Sequence, residues 1–325
     1  MGLSRNHLKE KLRKRIVERN PEKGLFLSKR PQRLFDRRMK KHGDCMIIQK
    51  CGEELRLDFS DDFDPAKIFG CGQCFRWTGE NGVYTGVARG AAAKVRKSGG
   101  NVYFTCSEED FRNIWFDYFD LGPDYRSLRR SLGTDSYMKA ASEYGAGIRI
   151  LRQEGWECLC SFLLSQCNNI SRIRRMIETL CSRFGETLSF EGKTLYTFPS
   201  AAVIAGLTEA ELAPLRCGYR APYLLEAADS VASGRLDLDA LAGTDRASAL
   251  AALKTLSGVG DKVAGCVALF SLQIPDAFPV DIWVSRAVRE HYGNSFQPEA
   301  FGGCAGLAQQ YMFYYQREKN KRSGT

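Results

Sequence analysis

At 325 residues and 44% hydrophobic content, the chain is long enough for two domains or one large one, and it holds no apolar run of membrane-spanning length. Its formal charge of +9 is uneven: residues 1–43 carry 15 Lys and Arg against 4 Asp and Glu, leaving 32 against 34 for the remainder. Twelve scattered cysteines without an apolar leader read as reduced thiols of an intracellular protein, and no pair of CxxC units offers a zinc or iron–sulfur site.

Residues 1–44 form a basic tail interrupted by Pro21 and Pro31. Three readings stand: a flexible, disordered arm that grips phosphates, a partly helical extension, or a misassigned start upstream of Met39 or Met46. Glu10, Glu18 and Glu22 are interspersed among the basic residues, which disfavours an organelle transit peptide.

From Met46 to Cys106 the pattern is of short alternating segments with glycine turns: MIIQK, ELRLDF, CFRWT, VYTGVA, AAKVRK and NVYFTC. These predict an antiparallel sheet with one covered face. Cys71-Gly72-Gln73-Cys74 is a lone CxxC in this β-rich region, without the βαβ setting of a redox motif, and reads as structural. Ser107 to Tyr144 reads as helical, opening on a Ser107–Asp110 cap, with Phe111, Ile114, Trp115 and Tyr118 at helical spacing for packing on the sheet. The first domain is set at residues 45–145.

Residues 146–325 are expected to be helical almost throughout, giving an α+β chain with an antiparallel sheet domain followed by a mainly α-helical domain. Trp156, Leu159, Cys160, Leu163 and Leu164 form one apolar stripe, and Ile170, Ile173, Ile177 and Leu180 a second. Between them Ser165-Gln166-Cys167-Asn168-Asn169 is a polar break. A capping turn explains its asparagines; a surface that meets DNA bases, with Arg172 and Arg174 close behind, is the sharper alternative. Cys217-Gly218-Tyr219-Arg220 is another small-residue turn ahead of a helix.

The stretch from Leu253 to Arg286 carries the chemistry. Leu256-Ser257-Gly258-Val259-Gly260 is a glycine hairpin, and Gly258 and Gly260 are free to take positive φ. The helix after it offers unpaired N–H groups and its positive dipole end to a phosphate. That helix carries Lys262 and, one turn on, Cys266; Pro279-Val280-Asp281 then opens another helix. A phosphate clamp thus has an amine and a carboxylate beside it. The last helix, read as running from Gln297 to Lys319, places Gln309 and Phe313 one turn apart on one face.

The hairpin with Lys262 and Asp281 resembles the helix-hairpin-helix–Gly/Pro-Asp superfamily of base-excision DNA glycosylases. Four further stretches resemble the 8-oxoguanine DNA glycosylases, bacterial members most of all. They are Glu54 to Asp58, Gly72 to Trp77, Glu157 through Ile170, and Gly218 to Ala221, in the family's order across about residues 46–318. The resemblance implies a bifunctional glycosylase and AP lyase acting on oxidised purine in duplex DNA, monomeric, with cytoplasm or nucleoid as its place in a bacterium.

By the resemblance, Lys262 is the nucleophile that attacks the sugar C1′ of a flipped nucleotide and leaves an imine for β-elimination. An attacking amine must be neutral, which burial or a neighbouring positive dipole favours. Asp281 stabilises the positive charge that develops on the sugar, and can cap its helix as well. Gly72 matches the glycine whose carbonyl accepts from the N7–H that only the oxidised guanine has. Cys266 and Phe313 match the walls around the base, and Gln309 the reader of its Watson–Crick edge. Asn168, Asn169, Arg172, Tyr219 and Arg220 match groups facing the opposite strand and the estranged cytosine, while Gly258 and Gly260 hold the backbone. No metal and no cofactor is implied beyond a monovalent cation at the hairpin carbonyls.

Three positions depart from the family pattern. The first of its three asparagines is Cys167, a poorer hydrogen-bond partner. Trp283 stands where eukaryotic members have histidine, and Gln316 stands where the matching acid is expected. Two rivals remain at this stage: a glycosylase of the same superfamily for alkylated purines or oxidised pyrimidines, and a non-catalytic DNA-binding module. Lys262 speaks against the alkyl-purine branch, and the absence of a four-cysteine cluster against the adenine and pyrimidine branches.

Overall fold

The computed structural model describes residues 48–58 and 62–323; the tail expected over residues 1–44 lies outside them. Six strands form one antiparallel sheet in the order β1-β2-β6-β5-β4-β3: β1 (Ile48–Cys51), β2 (Glu54–Leu57), β3 (Trp77–Glu80), β4 (Val83–Ala88), β5 (Ala91–Ser98) and β6 (Asn101–Thr105). The two-residue period places Leu55, Phe104 and Val95 side by side across β2, β6 and β5, all buried. One residue out of phase, Tyr103 lies opposite Arg56 and Arg96 on the outer face, with the Arg96 guanidinium 3.9 Å from its ring centre. The covered-face sheet read from the sequence is present, with each of the six segments contributing a strand.

One boundary differs. Of residues 74–76, read as the start of β3, Cys74 stays in the core under the sheet, but Phe75 crosses to the helical body and packs edge-on to Phe162 at 5.9 Å. Just before them lies the short helix α1 (Pro65–Gly70), started by Asp64, whose carboxylate accepts from the Lys67 N–H, with proline at the first position.

Behind the sheet, α2 (Glu108–Asp110) begins where the Ser107 hydroxyl accepts from the Asp110 N–H at 2.9 Å. It continues through a π-turn at Phe111–Trp115 and a final turn at Phe116–Tyr118. Phe111, Trp115 and Tyr118 are buried under the sheet as expected, around a Phe69–Trp77 stack with centroids 4.3 Å apart. The next helices, α3 (Tyr125–Ser131) and α4 (Ser136–Tyr144), belong to a different cluster. Met138 and Ala141 pack with Ala287, Ala308 and Met312 from the far end of the chain.

The rest of the body is built from α5 (Gly155–Ser165), α6 (Ile170–Phe184), α7 (Ala201–Ala205), α8 (Glu209–Leu212), α9 (Arg220–Ala232), α10 (Leu238–Leu241), α11 (Arg246–Leu253), α12 (Asp261–Phe270), α13 (Ile282–His291) and α14 (Ala305–Ser323). The α5 stripe is entirely core, but Ile170 is not: at the first position of α6 it is 37% exposed. Two further expectations need correcting. A hairpin, β7 (Thr187–Phe190) and β8 (Lys193–Tyr196), interrupts the helical run, turning at Glu191 and Gly192, both at positive φ. The final helix starts at Ala305 rather than Gln297, because the 3₁₀ segment Pro298–Cys304 kinks at Gly302. Among the described residues no helix is long and apolar enough to cross a membrane.

Candidate active site

The hairpin between α11 and α12 needs glycine at one position for two reasons. Gly258 has φ +77, and a Cβ there would lie 2.4 Å from the Tyr223 ring. Gly260 does not take positive φ as the sequence allowed; at φ −92 it caps α12, and nothing lies within 4 Å of where its Cβ would be. No side chain caps the first turn of α12, so its N–H groups are left for an anion.

Lys262 lies in that first turn. Its Nζ is 3.4 Å from the Ser165 hydroxyl at the end of α5 and 4.9 Å from the centre of the Phe162 ring. Nothing in its sequence setting marks Ser165 as a site residue; only the fold brings it to the amine. Asp281 caps α13, accepting from the N–H groups of Trp283 at 3.0 Å and Val284 at 2.9 Å. Burial raises its carboxyl above the usual value; the two N–H groups and the charges of Lys262 and Arg317 pull the other way. Cys266 is buried one turn after the lysine, its thiol pushed up to about 11 chiefly by burial.

From the chain's other ends come the remaining walls. Gly72, at φ +77 on the loop after α1, lies against Phe313: a Cβ on it would be 3.4 Å from that ring. Gln309, one turn earlier on α14, donates to the Pro279 carbonyl at 3.0 Å and accepts from Gln310 at 2.9 Å, so α14 is tied to the loop that delivers Asp281. Segments near 72, 262, 281 and 309–317 thus converge on one place. The neighbouring CxxC thiols are free and buried, and burial pushes Cys71 up to about 11 and Cys74 well above its ordinary value, which suits a structural role.

The second patch brings the two polar turns together. Arg220 is buried and donates to the carbonyls of Gln166 at 3.0 Å, Cys217 at 3.1 Å and Cys167 at 3.3 Å, fastening the α5–α6 turn to the start of α9. Cys167 is exposed at φ +45 beside Tyr219, which is 53% exposed. Asn169 caps α6 through the Arg172 N–H at 2.9 Å, as the capping reading expects. Asn168 is turned inward, donating to the Leu164 carbonyl at 3.1 Å, and Arg172 reaches the Arg216 carbonyl at 3.1 Å.

Two family profiles match consecutive parts of the chain: the N-terminal domain of 8-oxoguanine DNA glycosylase over residues 56–159, and the HhH-GPD superfamily of base excision DNA repair proteins over residues 160–300. MBOgg1, solved in complex with a low-affinity DNA ligand, superposes with a TM-score of 0.81 at 40% identity, covering 85% of this chain and 99% of that one. The chain belongs to the 8-oxoguanine DNA glycosylase family. A second relative in the family is the Clostridium acetobutylicum 8-oxoguanine glycosylase/lyase, solved with double-stranded DNA containing cytosine opposite the lesion. It has a TM-score of 0.79 and 36% identity, covering 84% of this chain and 98% of that one. The N-glycosylase/DNA lyase of Saccharomyces cerevisiae is 34% identical over 200 residues, which are 58% of this chain but only 53% of the yeast protein.

Within the family frame the two departures on α13 and α14 have partners of their own. Gln316 donates to Glu290 at 2.8 Å and accepts from the Tyr137 hydroxyl at 3.4 Å, while the Arg286 guanidinium lies 5.4 Å from the Trp283 ring centre. The α13–α14 contact is therefore made without the histidine–acid pair. Among the described residues no cluster of His, Cys, Asp and Glu is arranged to hold a metal.

Proposed function

We propose that the protein removes 8-oxoguanine, paired with cytosine, from duplex DNA and then nicks the strand at the resulting abasic site. The observation that carries this reading is the joint placement of Lys262 against Ser165 and Phe162, and of Asp281 at the start of α13 with the Lys262 charge acting on it. A phosphate anchor alone needs neither side chain.

In this mechanism the hairpin and the α12 N-terminus hold the backbone, and the damaged nucleotide rotates out of the stack. The Lys262 amine forms a bond to C1′ as the C1′–N9 bond breaks and the base leaves with the electron pair. The lone pair of the attached nitrogen then expels O4′, which takes up a proton as the sugar ring opens to an imine; the imine makes the C2′ proton acidic, so elimination expels the 3′ phosphate. Asp281 offsets positive charge on the sugar as the base departs. Gly72 supplies the acceptor for N7–H, Cys266 and Phe313 enclose the base, and Gln309 reads its edge. Tyr219, Asn169, Arg172 and the Arg220-fastened turn face the opposite strand. A monovalent cation at the hairpin fits the chemistry of Leu256 to Gly260, which offer main-chain carbonyls and one hydroxyl. It would order the turn and takes no part in bond breaking. The protein acts on this substrate as a monomer.

Borohydride trapping on an 8-oxoguanine·cytosine duplex tests the reading. Wild type should form a covalent adduct and Lys262→Gln should form none. Absence of the wild-type adduct, or an undiminished one with the variant, overturns it.

A further inference from the structure

Arg317 continues the stripe of Gln309 and Phe313, four residues further along α14, and it is only 8% exposed. Its guanidinium lies 5.1 Å from the Phe313 ring centre. Nη2 donates to the Gly70 carbonyl at 2.6 Å, and Nε and Nη2 meet Glu318 at 3.2 and 3.0 Å. Nη1 is buried and has no hydrogen-bond partner among the described residues. It would be 3.9 Å from a Cβ built on Gly72. An unmatched buried guanidinium donor is costly, so its presence beside the glycine of the base pocket calls for a ligand acceptor.

We propose that Arg317 is a specificity-determining residue, with Nη1 donating to the C8 carbonyl oxygen of the flipped 8-oxoguanine. The proposal rests on the substrate assigned above. On the oxidised base the N7–H donor and the C8 carbonyl acceptor are adjacent, so a site that takes both needs an acceptor and a donor side by side. The Gly72 carbonyl and Arg317 Nη1 are such a pair. Guanine has a C8–H at the same place and N7 as an acceptor, so it satisfies neither member. The lesion is then read by two opposed hydrogen bonds instead of one. The Phe313 ring now occupies the space against Gly72 and has to give way as the base enters.

A structural role also exists, because Nη2 ties α14 to the end of α1, and the test must separate the two. Affinities are measured with full-length Lys262→Gln protein, which binds without cutting, for duplexes carrying 8-oxoguanine, guanine or a tetrahydrofuran abasic analogue opposite cytosine. Adding Arg317→Leu should weaken 8-oxoguanine binding about 10- to 100-fold, the range of one charge-assisted hydrogen bond. Guanine and tetrahydrofuran binding should stay within about twofold, since neither offers the C8 oxygen. Arg317→Gln, whose shorter amide reaches the place of Nε beside Glu318 but not that of Nη1, should show the same selective loss and replaces the leucine variant if that does not fold. Equal weakening on all three duplexes would make Arg317 a structural tie only, and unchanged selectivity would also overturn the proposal. If the Lys262→Gln protein itself does not prefer 8-oxoguanine to guanine, the substrate assignment fails first, and that outcome is visible before Arg317 is altered.

Discussion

The Leu151 N–H donates to Gln73 Oε1 at 2.8 Å, joining the loop that carries Gly72 to the segment entering the helical body. The same fully buried side chain gives its amide protons to the carbonyls of Ile68 at 3.1 Å and Arg149 at 2.9 Å, while Gln153 donates to the Gln73 carbonyl at 2.7 Å. Gln73 therefore sets the position of its neighbour Gly72 without touching a base. Gln73→Leu keeps the approximate volume but leaves these backbone groups unpaired in the core. It should cost about 2–4 kcal/mol and lower Tm by about 5–10 °C. Excision of 8-oxoguanine should fall more than nicking of a preformed abasic site, because in the proposed mechanism only the first uses Gly72. Single-turnover rates on the two duplexes check this; equal losses would mean that the loop position does not matter to base capture.

Arg76 and Glu157 come from two of the stretches that carry the family resemblance, and the structure places them in one ion pair at 3.2 Å. Both side chains are largely buried, at 10% and 12% exposure. Arg76 also donates to the Tyr196 carbonyl and so holds the β7–β8 hairpin. Burial raises the Glu157 carboxyl and Arg76 opposes that shift. Arg76→Met should therefore destabilise by about 3–5 kcal/mol, while Arg76→Met combined with Glu157→Leu should recover more than half of the loss. Denaturant unfolding of the two single variants and the double variant measures the coupling. A double variant as unstable as the sum of the singles would show that the charges do not depend on each other.

The sheet was legible because one covered face forces a two-residue period, and α5 because its apolar stripe is core along its whole length. The β7–β8 hairpin was not legible: its strands are four residues each, half-exposed, and their fixing bond to Arg76 spans 120 residues. Lys262 and Asp281 could be read from glycine spacing and helix starts. Ser165, Arg317 and the role of Arg220 could not, since each acquires its meaning from a partner distant in sequence. Arg317 alone left a periodic trace, at i+8 from Gln309.

Cys167 takes a left-handed conformation, φ +45, that asparagine adopts at less cost than a thiol-bearing side chain. It is exposed beside Tyr219, and a thiol hydrogen-bonds more weakly than an asparagine amide. Cys167→Asn should raise stability slightly, by about 0.5 kcal/mol or less, because the strain at this turn is relieved. The same change should widen the preference for cytosine over adenine opposite the lesion by severalfold. Excision rates on the four opposite-base duplexes are the measurement, and a preference that narrows or stays put would show that this turn does not sense the opposite strand.

Asp281 caps its helix and, in the proposed mechanism, carries the charge that acts on the sugar; asparagine separates the two. Asparagine caps as well as aspartate, so Asp281→Asn should keep the bonds from Trp283 and Val284. Its folded carboxyl titrates above 3.8, so ionisation costs stability as pH rises from the unfolded value through the folded one. At neutral pH Asp281→Asn should therefore be as stable as wild type or slightly more so, whereas Asp281→Ala should lose about 0.5–2 kcal/mol with the cap. Excision should move the opposite way, falling about 100-fold or more in both variants, because the charge that the proposed mechanism sets against the sugar is gone. Wild-type excision should rise with pH through an apparent pKa above 3.8, and that acid limb should be missing from the residual activity of Asp281→Asn. Thermal melts and single-turnover excision across pH 4–8 read the two effects separately. A variant that is stable and fully active would leave Asp281 as a cap and nothing more.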